Sequence, residues 1–115
     1  MKADVKAAWL AKLRSGEFAQ GSGQLRIWNS AKKVWEYCCL GILCEMSGLG
    51  EWEEGLRVSA YLGSKHYLPV EVAEWAGIDP DCNSEKGAQQ RLGSLNDSGA
   101  SFKAIAVAIS TDHNL

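Results

Sequence analysis

The sequence predicts an α+β fold, with a small antiparallel sheet (a hairpin, or three strands) packed against four to five short helices. Three observations lead there. Apolar residues recur at helical spacing in separate stretches near the start, middle and end of the chain. Two alternating stretches, 25–28 and 34–38, flank a run of turn formers. The 115 residues, 46% apolar and 23% charged, suffice for one modest core, so residues 1–115 are expected to form a single domain.

Val5, Trp9 and Leu13, with Ala8 and Leu10 beside them, make one apolar stripe from about Ala3 to Ser15. Lys2, Lys6, Lys12 and Arg14 take the other faces, and Gly16 is placed to stop the helix. Glu17 to Gln24, with Gly21 and Gly23, is too rich in glycine for regular structure. Such a loop can aim N–H groups at an anion, but the lysine and the strand–loop–helix setting of a P-loop are missing. A connector is the plainer reading. In the hairpin, Leu25 and Ile27 share one face of the pleat, and Arg26 and Trp28 share the other. Trp35 and Tyr37 project together, so one face displays aromatics alongside Arg26.

The most apolar stretch is Tyr37 to Met46, which holds three of the four cysteines. Leu40, Leu43 and Cys44 fall at i, i+3, i+4, and a helix from about Cys39 to Ser47 ends at Gly48. It is expected to be the most buried element. Glu51 to Gly55 reads as an exposed acidic loop, and Leu56 to Leu62 as a short strand, a third beside the hairpin. Pro69 opens a helix from Val70 to Ala76, which Gly77 stops. Residues 78–87 read as a loop, Ala88 to Leu95 as a helix, and Asn96 to Gly99 as a turn. Ser101 then caps a last helix, ending near Ser110, on which Phe102, Ile105, Ala106 and Ile109 form the apolar stripe.

Composition excludes several functions. Residues 1–38 carry a net charge of +4, residues 39–85 −7 and residues 86–115 +1. A chain with a total of −2 is a poor duplex DNA binder. No apolar run approaches the roughly 20 residues that span a bilayer. Met1 to Asp4 leads directly into an amphipathic helix, so no targeting peptide and a cytoplasmic location are expected. Cys38, Cys39, Cys44 and Cys82, with His66 and His113, contain no C-x₂-C pair for a metal. Their apolar setting predicts inert, reduced core thiols, although a Cys38–His66 nucleophile pair stays open. No H-E-x-x-H, G-x-S-x-G or Walker pattern is present.

Four pieces together carry a resemblance: the helix through Arg14 with QGSGQLR at 20–26, YCCLGILCEMSG at 37–48, YLPVEVAEWAGI at 67–78, and LNDSGASFKAIAVAI at 95–109. In this order the chain resembles a widespread family of small proteins encoded by tailed bacteriophages and prophages. The resemblance implies a phage accessory gene expressed in the host bacterial cytoplasm and supplies no catalytic or binding residues. By analogy of genomic lifestyle, it suggests a counter-defence factor. The leading expectation is a sponge that sequesters a nucleotide-derived immune signal, of cyclic nucleotide or ADP-ribose type, without chemistry. The alternatives are a proteinaceous inhibitor docking on a bacterial defence protein through the acidic loop at 51–54, and a small hydrolase of the signal.

For the sponge, the candidate residues follow from what a nucleotide offers. Trp28 or Trp35 would stack on a base. Arg26, Arg14 and the N–H groups around Gly21 and Gly23 would meet phosphates, with Gln20 as a polar reader. Asn96 and Asp97 would hydrogen-bond ribose hydroxyls, although turn formation is the plainer reading of each alone. Arg26→Ala and Trp28→Ala are expected to abolish binding with little change in melting temperature. No catalytic residue, metal or cofactor is expected. Enclosing such a ligand calls for a homodimer.

Overall fold

In the computed structural model, which describes residues 1–113 and 115, the chain begins with helix α1 (Ala3–Arg14). Val5, Trp9 and Leu13 are its buried positions, and Trp9 Nε1 donates to the Cys39 carbonyl at 3.0 Å. Strands β1 (Ala19–Gln20), β2 (Arg26–Asn29) and β3 (Val34–Tyr37) follow, in sheet order β1-β3-β2. The hairpin pairs antiparallel, Arg26 opposite Tyr37 and Trp28 opposite Trp35. Its turn is held by the Asn29 carboxamide, whose Oδ1 accepts from the N–H groups of Ala31 and Lys32.

Helix α2 (Cys39–Ser47) enters the core directly from β3, with every residue from Cys39 to Cys44 buried. Gly48, in the left-handed region at φ 62°, ends it. Two features explain the Cys-Cys-Leu-Gly run. Cys38 is the N-cap, its Sγ accepting from Gly41 N at 3.4 Å. At Gly41 the helix lies directly on the Leu25 carbonyl, and any Cβ there would run into that oxygen. A second hairpin, β4 (Trp52–Glu54) and β5 (Ser59–Tyr61), precedes helices α3 (Val70–Ala76), α4 (Ala88–Asp97) and α5 (Phe102–Thr111). Ser101 caps α5 by accepting from Ala104 N at 3.1 Å. Helix α1 packs against both α2 and α5, and α2 also touches α3 and α4, so α2 sits at the centre of the core. Among the described residues no helix is long and apolar enough to cross a membrane.

The α+β fold therefore holds, with four corrections to the expected elements. The glycine-rich stretch at 17–24 is not wholly irregular: Ala19 and Gln20 form a strand parallel to β3. Gly21 N extends that ladder to the Tyr37 carbonyl at 2.9 Å. The sheet's third strand thus comes from the N-terminal side and is parallel. Within the acidic stretch at 51–55, Trp52–Glu54 form a strand rather than a loop, with Trp52 packed edge-on against Tyr37 and Tyr61 while the glutamates stay exposed. The strand expected within 56–62 pairs with β4 in a separate sheet; an Ile27–Val58 bridge, the Trp28 N to Arg57 O bond and the Arg26 Nε to Ser59 Oγ bond tie it to β2. Finally, Asn96 and Asp97 are the last turn of α4, since tertiary bonds to their side chains replace the local turn bonds expected of them.

Candidate functional site

The expected ligand-binding residues fall in three places. Gln20, Gly21, Gly23, Asn96 and Asp97 come together where the loop after β1 lies on the C-terminal turn of α4. Asn96, only 2% exposed, is the hub of this contact. Its Oδ1 accepts from Gln20 Nε2 at 3.1 Å and from Cys39 N at 3.3 Å, and its Nδ2 donates to Gly21 O at 2.7 Å. One carboxamide thus joins the loop, the first turn of α2 and α4, and satisfies an N–H that α2 cannot bond internally. Gln20 Nε2 also reaches Ala100 O at 2.7 Å, and Asp97 Oδ1 accepts from Gly23 N at 2.8 Å.

Two adjoining cavities flank this junction and share Asp97. The first, of about 260 Å³, runs between Gly23, Gln24, Cys38, His66, Tyr67 and Ser94. The second, of about 430 Å³, is wider open and lies against Gln20, Gly21, Ser22, Glu36 and Asn96. Among the described residues neither wall includes a lysine or arginine. Glu36 and Asp97 make the lining acidic, with Glu36 held by Asn29 Nδ2 at 3.1 Å.

Arg26, Trp28 and Trp35 form a second cluster on the far face of the sheet. The Arg26 guanidinium lies 4.0 Å from the Trp35 ring centroid and 4.7 Å from that of Trp52. Its Nε donates to Ser59 Oγ at 3.0 Å and its Nη2 to Glu54 at 3.1 Å. At 7% exposure this cation is committed to joining the two hairpins. It lines neither cavity, and its truncation reaches stability as well as any ligand. Trp28 and Trp35 meet edge to face at 5.1 Å. Trp28 borders a third hollow of about 230 Å³ that meets the second cavity at Ile27 and Glu36. Arg14 stands apart, exposed at the end of α1, and lines none of these cavities.

Sequence reading missed Gln24, Glu36, Tyr67 and Ser94 as cavity residues. Gln24 carries the structural signal: its Oε1 is the buried side-chain N or O atom without a hydrogen-bond partner among the described residues. Cys38 and His66, the pair left open above, do line one cavity. Their electrostatics do not make a thiolate. Burial pushes the Cys38 thiol up to about 11, and the nearby Asp97 carboxylate adds to the rise. His66 Nδ1–H donates to the Gly23 carbonyl at 2.9 Å, which ties the ring to the loop. Burial likewise raises Cys39 and Cys44, and all four cysteines are free thiols. Among the described residues no three His, Cys, Asp or Glu side chains gather as a metal site.

A family model described as a domain of unknown function, DUF8296, matches residues 1–113 of the chain. No curated protein and no solved structure matches it.

Proposed function

We propose, for a chain that belongs to the DUF8296 family, that it captures a nucleotide-derived immune signal in the cleft between the 20–24 loop and α4 and holds it chemically unchanged. The observation that carries the reading is the convergence of Gln20, Gly21, Gly23, Asn96 and Asp97, some 75 residues apart in sequence, around two adjoining cavities. Side chains and loop backbone already held by hydrogen bonds need less ordering when a ligand binds, which favours capture. Capture without chemistry is supported by Cys38, whose thiol stays protonated at neutral pH. The phage-like motifs support a counter-defence protein made in the cytoplasm of the host bacterium.

Outcompeting a cellular receptor takes roughly nanomolar affinity, about 12 kcal/mol. A ligand of roughly 35–40 heavy atoms reaches that at about 0.3 kcal/mol per atom only when nearly enclosed. The cavities of one chain are half open, so a second copy closing over them is part of the proposal. A thermal-shift screen of the lone protein against cyclic and ADP-ribose-derived nucleotides tests it. A stabilising nucleotide recovered intact after denaturation supports capture; recovery of a cleaved product indicates a hydrolase. The absence of any shift would leave a second reading, docking on a bacterial defence protein. That reading is favoured by Leu56, which is wholly exposed beside Trp28, Trp35 and the carboxylate of Glu54.

A further inference from the structure

We infer that this cleft selects a nucleotide presenting a free vicinal ribose diol beside an amino-bearing base, the ADP-ribose type, over cyclic dinucleotides. The inference rests on the proposed function and chooses between the two ligand classes it admits.

Asp97 sits at the boundary of the two cavities, so whatever spans them passes its carboxylate. Its Oδ1 is fixed by Gly23 N, and its other oxygen carries no hydrogen bond among the described residues. An ionised carboxylate only accepts hydrogen bonds, and two adjacent hydroxyl donors match it. Phosphate offers it the opposite: like charge, with no donor. Among the described residues neither cavity is lined by a lysine or arginine to offset that repulsion: Glu36 adds a second carboxylate, Arg26 is held between Trp35 and Trp52, and Arg57 lines the third hollow beyond Glu36.

The two ligand classes differ at this point. In a 3′,5′-linked cyclic dinucleotide each ribose has its 3′ oxygen esterified, so the diol is lost and a phosphate stands where Asp97 would meet it. In ADP-ribose the phosphates hang from the 5′ carbons, and both riboses keep their 2′ and 3′ hydroxyls. Such a ligand can set one diol on Asp97 while its phosphates face open water.

Gln24 adds the base. It lines the smaller cavity with Asp97, and its Oε1 lacks a partner. A buried acceptor left unpaired is costly, and a turn of the side chain that brings it to the cavity wall lets a ligand donor relieve it. A carboxamide pairs in bidentate fashion with an adenine edge, accepting from the exocyclic amine and donating to a ring nitrogen. The cavity of about 260 Å³ has room for a base but not for a whole dinucleotide.

Isothermal titration of the full chain with ADP-ribose, its inosine counterpart, adenosine, 2′-deoxyadenosine, 3′-deoxyadenosine and cyclic di-AMP tests this. ADP-ribose should bind at least about tenfold tighter than cyclic di-AMP, and loss of either hydroxyl from adenosine should cost about tenfold. Asp97→Asn keeps an oxygen for Gly23 N but loses the charge; it should weaken ADP-ribose about tenfold while narrowing its advantage over cyclic di-AMP. Gln24→Leu should erase the preference for ADP-ribose over its inosine counterpart. Cyclic di-AMP binding as tightly as ADP-ribose, or deoxy analogues binding as well as adenosine, would overturn the inference and leave capture standing. Binding of no nucleotide would overturn both.

Discussion

At Gly41 a single hydrogen atom decides whether the helix can lie on the strand. The Leu25 carbonyl that occupies the space of a Cβ also accepts from Cys38 N at 3.3 Å, while Leu25 N is held by Lys65 O at 2.7 Å. Gly41→Ala must therefore displace backbone bonded on both sides, and it should cost about 1–3 kcal/mol or more. Urea unfolding measures this, and an unchanged midpoint would refute the close approach. Cys38 yields a pH prediction. Its folded-state pKa, about 11, is higher than the usual thiol value of 9.0, so its contribution is fully present below pH 9 and is lost as pH rises toward 11. The loss should be on the order of 2–3 kcal/mol, and Cys38→Ala should flatten that part of the alkaline melting curve. The Cys-Cys-Leu-Gly run was legible as a core signature. The need for glycine in it was not, because the opposing atom belongs to a residue 16 positions earlier.

At the scale of elements, the Arg26 contacts decide how the two hairpins meet. Trp35 from the first and Trp52 from the second enclose one guanidinium, whose Nη2 donates to Glu54 of β4 and whose Nε donates to Ser59 of β5. Arg26→Lys keeps the charge but loses the planar stacking and the fork of donors. It should destabilise the fold by roughly 1–3 kcal/mol, with Arg26→Ala costing more, since Glu54 and Ser59 lose their partner. Chemical denaturation with tryptophan fluorescence reports both the stability and the rearranged indoles; a variant as stable as the parent would show the stack to be incidental. Alternation revealed the first hairpin; Leu56 to Leu62 could be read only as a short strand, because its partner was hidden. Three glutamates at 51, 53 and 54 look like solvated loop until Trp52 is seen against Tyr37 and Tyr61.

For the whole molecule, the half-open cavities and the proposed ligand make one concentration-dependent prediction. With a nucleotide that binds the folded chain, stability should rise with ligand concentration, by about 4 kcal/mol at a thousandfold excess over Kd. The mass by light scattering should be twice 12.5 kDa in the ligand-bound state. A ligand-saturated species of 12.5 kDa would refute closure by a second copy while leaving the cleft itself in place.

Local chemistry was enough to determine the helices. Caps, stops and apolar spacing lie within a few residues of one another, so the ranges of α1, α2, α3 and α5 and the first hairpin could be read directly from the sequence. The convergence of Gln20, Gly21, Gly23, Asn96 and Asp97 was decided by tertiary structure alone. Gly21, Gly23, Asn96 and Asp97 are plausible turn formers by themselves and Gln20 is an ordinary polar residue, and only the packing of α4 against α2 brings Asn96 to the loop. Tertiary structure likewise withdrew Arg26 from the cleft. Its position in a strand was legible, but the two indoles that hold it come from strands in different sheets, and no local pattern records that meeting.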